Sequence, residues 1–257
     1  MKTLILAGGY GSRLGNITEN IPKPMVAIGG KPILWHIMKL YSHFGFHDFI
    51  ILLGYRGVKI KEYFFNYHMI NNDFTVDLAD NSLSYAGTNN VEKWKVTLVD
   101  TGIDTLKGGR IKRVEQYLDD DVNMLTYGDG VADVNIGDLV SFHRSHGKTV
   151  TLTGVRPPSR FGELNIEDGR VLSFEEKPQV SSGMINGGFM VFNKNLLSHL
   201  TPDRDCDFEF GVLEDLAARG EVMVYEHRGF WECVDTERDL NYLNKLWNQD
   251  KAQWKLW

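Results

Sequence analysis

The run Leu6-Ala7-Gly8-Gly9-Tyr10-Gly11-Ser12-Arg13-Leu14 is rich in glycine and directly follows the apolar segment that begins at Thr3. Glycines let a backbone come close to a phosphate, and exposed N–H groups supply donors to it. Arg13 stands just behind the glycines, and Lys23 follows in Pro22-Lys23-Pro24-Met25. Cations beside such a loop suit a triphosphate, because a guanidinium grips two oxygens at once and an ammonium acts as a point charge. Asp129 lies between Gly128 and Gly130 at the end of the apolar run Met124-Leu125-Thr126-Tyr127, and Asp235 follows Cys233-Val234. Mg²⁺ is commonly held by one or two carboxylates, with water and substrate phosphates completing its shell, so this pair is sufficient for it. Arg13, Lys23, Asp129 and Asp235 together point to phosphoryl-group chemistry with no protein nucleophile, in which catalysis consists of positioning polyanions and spreading their charge.

Each feature also has a plainer reading. The glycine run can be a strand-turn-helix connection with surface cations, Asp129 a turn residue, and Asp235 the N-cap of a helix beginning near Glu237. The acidic run Asp119-Asp120-Asp121 reads as a solvated turn. His143 and His146 share a helical face, but HxxH with no acid nearby is a weak metal signal, and phosphoryl transfer needs no histidine. The better-known phosphate loops are excluded by spacing. Gly9-x-Gly11-x-x-Leu14 lacks the third glycine of GxGxxG, and no GxxxxGK[ST] occurs. That spacing also argues against a dinucleotide-dependent oxidoreductase.

The elements that must position these residues follow from hydrophobic periodicity. Residues 3–7 form a buried strand, so the glycine run emerges at a strand's carboxyl end, where open α/β sheets bind ligands. Pro32 opens a helix whose Ile33, Leu34, Ile37, Met38, Leu40, Tyr41 and Phe44 share one face, and Gly45 is placed to end it. A buried strand over 48–53 completes a βαβ unit. The pattern continues with a helix over 58–67, strands over 74–79 and 94–99, a helix over 109–118 and a strand over 124–127. After about residue 147 it changes to extended segments at 149–155, 163–166 and 170–174, the last two joined across Asp168-Gly169, a hairpin turn signal. A strand over 189–192, a helix over 208–218, a strand over 221–225 and a helix over 237–247 follow. Segments 86–90 and 180–183 read as mobile loops. The fold class is α/β: a mostly parallel, mixed sheet with helices on both faces and an antiparallel part in the second half.

A chain of 257 residues with 42% hydrophobic content can bury a large core, and one domain over 1–257 is expected. Within it, a first part over 1–147, a second over 148–235 and a C-terminal helix and tail over 236–257 follow one another. A net charge of -6 with no long Lys/Arg run argues against nucleic-acid binding. Cys206 and Cys233 lack the spacing of a disulfide framework or a zinc site. The apolar run at residues 3–7 is too short for a signal segment or a membrane span, so a cytoplasmic protein is expected.

Five ordered strings, Leu6-Ala7-Gly8-Gly9-x-Gly11-x-Arg13-Leu14, Pro22-Lys23-Pro24-Met25, Tyr127-Gly128-Asp129-Gly130, Phe174-Glu175-Glu176-Lys177-Pro178 and Asn186-Gly187-Gly188-Phe189, resemble the motif set of the sugar-phosphate nucleotidylyltransferases over essentially the whole chain. Longer strings, among them Lys31-Pro32-Ile33-Leu34-Trp35-His36-Ile37-Met38 and Gly128-Asp129-Gly130-Val131-Ala132-Asp133, are similar to the branch that uses CTP and α-D-glucose 1-phosphate. The uridylyl- and thymidylyl-transferring branches share the phosphate and metal residues and remain alternatives, as does a catalytically silent nucleotide-sugar-sensing subunit. The resemblance implies a Rossmann-like core with an inserted sugar-binding part, 1–147 being mainly nucleotide-binding and 148–235 mainly sugar-binding, dependence on Mg²⁺, a homo-oligomer (a hexamer in this branch) and release of pyrophosphate as CDP-glucose forms. By matching position it implies that Leu6, Ala7, Gly8, Gly9, Tyr10, Gly11, Ser12 and Arg13 hold base and phosphates, with Lys23 and Gly128 at the phosphates. It assigns Asp129 and Asp235 to the metal, Lys177 to the sugar phosphate, and Glu176 and Asn186 to the sugar hydroxyls. Thr105 and Arg110 are implied nucleotide contacts, from the same or a neighbouring subunit.

Overall fold

The computed structural model describes residues 1–86, 91–157, 163–167, 170–175 and 183–257. Seven strands form the central sheet, ordered Val222–Glu226, Val150–Val155, Ile185–Asn193, Val122–Tyr127, Thr3–Ala7, Asp48–Leu53 and Lys95–Asp100. Ile185–Asn193 runs antiparallel to both of its neighbours, and the remaining neighbouring pairs are parallel. This is the mostly parallel, mixed sheet that periodicity predicts.

The sheet is covered on both faces because its central strands have no polar face. Ile5, Phe49, Ile51, Met124 and Val191 enter one apolar cluster with Ile33, Leu34, Ile37 and Met38 of helix Ile33–His43 and Ile136 and Leu139 of helix Ile136–His146. Leu4, Leu6, Ile50, Leu52, Leu125, Met190 and Phe192 enter a second cluster with Ile111, Leu196, Phe208 and Leu216. Full burial of each such side chain contributes on the order of 2 kcal/mol, so neither face can be left open. The two clusters leave the carboxyl ends of the parallel strands as the free edge.

Several elements differ from their sequence expectation. Residues 74–79 do not extend the central sheet. Phe74–Asp77 pairs instead with Ser82–Tyr85 in a separate antiparallel hairpin whose strand residues are all exposed. The helix expected over 58–67 is divided into Gly57–Phe65 and Tyr67–Asn71, and that over 109–118 into Lys107–Arg113 and the 3-10 turn Glu115–Tyr117. The helix expected over 208–218 is interrupted at Phe210 (φ -81, ψ 115) and Gly211 (φ 100, ψ -66), and only Glu214–Ala218 is regular α-helix. Gly211 adopts a conformation open to glycine alone, which periodicity does not report. The hairpin Glu163–Glu167 and Arg170–Glu175 is present as expected, while its tip and the segments 87–90 and 180–182 lie outside the described residues. No helix among the described residues is long and apolar enough to cross a membrane.

Candidate active site

The glycine run and Asp129 meet because their strands are parallel neighbours, with Leu6 paired to Tyr127. Both segments therefore leave the sheet on the same edge. Asp235 arrives by a different route, through a small two-stranded ladder that sequence periodicity does not show. Trp231–Cys233 pairs antiparallel to Gly130–Ala132, with Cys233 opposite Gly130, and the Val234 N–H donates to the Asp129 carbonyl at 2.9 Å. The helix Glu237–Asn248 then starts with a capping box in which Thr236 is the N-cap. The Thr236 hydroxyl accepts from the Asp239 N–H at 3.3 Å, and the Asp239 carboxylate accepts from the Thr236 N–H at 2.8 Å. The cap reading of Asp235 is thereby corrected: its carboxylate is free to face Asp129.

A lysine stands between the two carboxylates. Lys23 Nζ donates to Asp129 Oδ2 and to Asp235 Oδ1, each at 2.7 Å, and Arg13 Nη1 donates to Asp235 Oδ2 at 2.7 Å. Burial by itself would lower the pKa of the Lys23 ammonium, but Asp129 and Asp235 outweigh it and hold it above the ordinary lysine range. Burial likewise would raise the Asp235 carboxyl, yet Lys23 and Arg13 hold it below the usual carboxylate range. The Lys23 side chain is 11% exposed and that of Arg13 73%, so Lys23 is part of the site floor and Arg13 reaches over it from solvent. The donor set fits a divalent cation: an ammonium already occupies the position between the two hard oxygen ligands. Among the described residues no cluster of three or more His, Cys, Asp or Glu is available to hold a metal, so a bound ion would need water or substrate oxygens to complete its shell.

The glycine run is braced from behind by Arg110. This arginine is 4% exposed. Its Nη1 donates to the Leu53 carbonyl at 2.9 Å and the Thr101 hydroxyl at 2.8 Å, and its Nη2 to the Gly8 and Ile103 carbonyls at 3.2 and 3.0 Å. A Cβ on Gly8 would lie 2.2 Å from Arg110 Nη1, so glycine is required there for a guanidinium to fit beneath the loop. Gly11, at φ +65, makes the left-handed turn into the 3-10 segment Ser12–Thr18. A Cβ added at Gly9 would meet no described atom within 4 Å, and Gly9, Tyr10, Ser12 and Arg13 are exposed. The Tyr10 hydroxyl donates to Asp104 at 2.7 Å, and its ring packs on Tyr55 with centroids 5.2 Å apart. Leu6 and Ala7 are buried strand residues, and Gly128 is packed against the Leu6 carbonyl and Pro24.

The structure thus gathers Gly8 to Arg13, Lys23, Gly128, Asp129 and Asp235 at one edge. It places Arg110 in a bracing role beneath the loop, and Thr105 against Arg113, both within this chain. Thr105 is buried, and its hydroxyl accepts from Arg113 Nη1 at 2.8 Å. Asn186 lies near Tyr127, its Nδ2 donating to the Tyr127 hydroxyl at 3.3 Å. Glu176 and Lys177 lie outside the described residues. Tyr127 and Glu209 have no role assigned from sequence, although Tyr127 stands inside the Tyr-Gly-Asp-Gly string; Glu209 carries no local signal. His143 and His146 share the Thr151 hydroxyl, each through a ring nitrogen 2.8 Å from it, a structural pairing away from this edge.

This edge is that of a phosphate-handling α/β protein, and the chain belongs to the nucleotidyl transferase family, which it matches over residues 2–249. It is 52% identical to glucose-1-phosphate cytidylyltransferase of Salmonella typhi, with all of each chain aligned. It is 46% identical to a probable glucose-1-phosphate cytidylyltransferase of Bacillus subtilis, again over the whole of both. A solved structure of a putative glucose-1-phosphate thymidylyltransferase from Bacillus anthracis superposes with a TM-score of 0.69 at 20% identity, covering 98% of this chain and 95% of that one, which establishes the shared fold.

Proposed function

We infer that the chain transfers a cytidylyl group from CTP to α-D-glucose 1-phosphate, giving CDP-glucose and pyrophosphate. The observation that carries this is Lys23, held between Asp129 and Asp235 beside an open glycine loop. The full-length identity of 52% to a glucose-1-phosphate cytidylyltransferase supports the choice of base and sugar.

In this reading a phosphate oxygen of the sugar phosphate bonds to the α-phosphorus of the triphosphate while the bond to the bridging oxygen of pyrophosphate breaks in line. The attacking oxygen is already anionic near neutral pH, so no general base is needed. Asp129 and Asp235 would hold Mg²⁺, which when bound would supply neutralisation of phosphate charge. Lys23, released from the carboxylates, and Arg13, exposed above them, are in place to stabilise the departing pyrophosphate. The backbone of Gly8 to Ser12 cradles the triphosphate and base, with Arg110 keeping that backbone in position. Lys177 grips the sugar phosphate, and Glu176 and Asn186 bind sugar hydroxyls. Residues 1–147 supply mainly the nucleotide half of one functional unit and 148–235 mainly the sugar half.

The protein works as a cytoplasmic homo-oligomer in this reading. Its two cysteines are free thiols, as suits a reducing compartment, and Phe65 and Leu78, 89% and 85% exposed, offer apolar surface for a second copy to cover.

The test is pyrophosphate release with CTP, UTP and dTTP against several sugar 1-phosphates, with and without Mg²⁺. CTP with glucose 1-phosphate, dependent on the metal, should give the highest rate. A preference for UTP or dTTP would overturn the base assignment. Near wild-type turnover of Asp129→Ala at saturating Mg²⁺ would overturn the metal assignment, since loss of such a group is expected to slow turnover about 100-fold or more.

A further inference from the structure

A primary amide can meet a sugar hydroxyl with its oxygen or its nitrogen, and the amide alone does not decide which. Both ends of the Asn186 side chain are committed by neighbours. The Gly188 N–H donates to Asn186 Oδ1 at 2.9 Å, and Asn186 Nδ2 donates to the Tyr127 hydroxyl at 3.3 Å. The second bond keeps its direction only while the phenol offers a lone pair rather than its proton. That proton is already engaged: the Tyr127 hydroxyl donates to Glu209 Oε1 at 2.5 Å. The same carboxylate oxygen takes Lys107 Nζ at 2.5 Å, and the Lys107 ammonium lies over the Tyr127 ring, 5.3 Å from its centroid.

The backbone holds this arrangement from both sides. Gly188, at φ +85, is packed so closely that a Cβ would lie 2.5 Å from the Tyr127 ring. Asp207 Oδ1 accepts from the N–H groups of Glu209 and Phe210 at 2.9 and 3.1 Å, and the chain leaves helical geometry immediately after Glu209. The interruption of the expected helix therefore falls where Glu209 turns to Tyr127.

We propose that Tyr127 and Glu209 are positioning residues for the sugar subsite. Glu209 takes the Tyr127 hydrogen bond, Tyr127 can then only accept from Asn186, and Asn186 is left with one N–H and one carbonyl lone pair to offer a sugar hydroxyl. Neither Tyr127 nor Glu209 needs to touch the sugar. The proposal rests on the reading that Asn186 binds sugar hydroxyls.

Steady-state kinetics with CTP and glucose 1-phosphate on the full chain, alongside thermal melting of each variant, tests it. Tyr127→Phe keeps the ring and removes the relay. It should raise KM for glucose 1-phosphate about five- to tenfold, the size of one lost hydrogen bond, with KM for CTP within about twofold of wild type. Discrimination against galactose and mannose 1-phosphates should narrow in parallel. Glu209→Gln keeps an acceptor oxygen and should be milder than Glu209→Ala. In an Asn186→Ala background, Tyr127→Phe should add less than about twofold, because the group it orients is gone. If Asn186→Ala raises KM for glucose 1-phosphate but Tyr127→Phe does not, the relay is overturned and the sugar reading of Asn186 stands. If Asn186→Ala leaves that KM unchanged, the sugar reading falls and the relay with it. A Tyr127→Phe effect that is equal on both substrates, or undiminished in the Asn186→Ala background, would mark a general packing role and also overturn the relay.

Discussion

Replacing Lys23 with methionine should make the protein bind a divalent cation more tightly while it turns over more slowly. Lys23 Nζ makes charge-assisted contacts of 2.7 Å to both Asp129 and Asp235, so a cation entering between those carboxylates must first displace the ammonium. Hydrogen bonds between charged groups are worth about 1.5–3 kcal/mol each when well shielded. The Lys23, Asp235 and Asp129 side chains are 11%, 16% and 33% exposed, so solvent screening reduces the sum. A net of roughly 1.5–3 kcal/mol for the two contacts converts to about 10- to 100-fold in affinity. Mn²⁺ titration of the nucleotide-free protein, followed by calorimetry or by the loss of free Mn²⁺ signal in electron paramagnetic resonance, measures it directly. In the same variant two facing carboxylates lose their counter-ion, so its melting temperature should fall without metal and recover when Mn²⁺ is added. Turnover should drop about 100-fold or more, because the ammonium is also the group proposed to stabilise the departing pyrophosphate. Equal or weaker Mn²⁺ binding by Lys23→Met would refute the idea that Lys23 and the metal compete for one position.

Gly8→Ala places a methyl 2.2 Å from Arg110 Nη1, so the buried guanidinium must move and give up part of its set of acceptors. A loss of about 2–4 kcal/mol follows, seen as a melting temperature lower by roughly 5–10 °C together with a raised KM for CTP; a melt unchanged within about 1 °C would show that Arg110 does not brace the loop. His36 is buried, its Nε2 donates to the Ile28 carbonyl at 2.9 Å, and burial pushes its pKa down to about 4. Because its folded pKa lies below the unfolded value of 6.5, the neutral ring contributes stability that is complete above pH 6.5 and is lost as pH falls toward 4. Urea unfolding at pH 7 and pH 4.5 should therefore show the wild type losing about 2.5 kcal/mol more than His36→Gln, and parallel losses in the two proteins would refute it.

The strand and helix order of the first half, the two-faced burial of the sheet and the glycine loop at a strand's carboxyl end are legible in sequence because each depends on local periodicity. In strand 3–7 and helix 33–43 almost every apolar residue faces a neighbouring layer, so pattern and burial coincide. Arg13, Lys23 and Asp129 stand out for a related reason, each being tied to a glycine or proline string beside an apolar run. Asp235 stayed ambiguous in sequence, since an aspartate just before a helix is an ordinary N-cap. Tertiary structure resolved it by giving the cap to Thr236 and pairing Trp231–Cys233 with Gly130–Ala132, which turns Asp235 toward Lys23. Arg110 and Glu209 show the same limit. Their roles depend on which distant carbonyl or hydroxyl lies within about 3 Å, and such a distance is set by packing between layers, not by any spacing along the chain. Sequence alone therefore determined which chemical groups are present and that they lie on strand ends, whereas the contact of Lys23 with both Asp129 and Asp235 and the bracing of the loop by Arg110 exist only once the layers are packed.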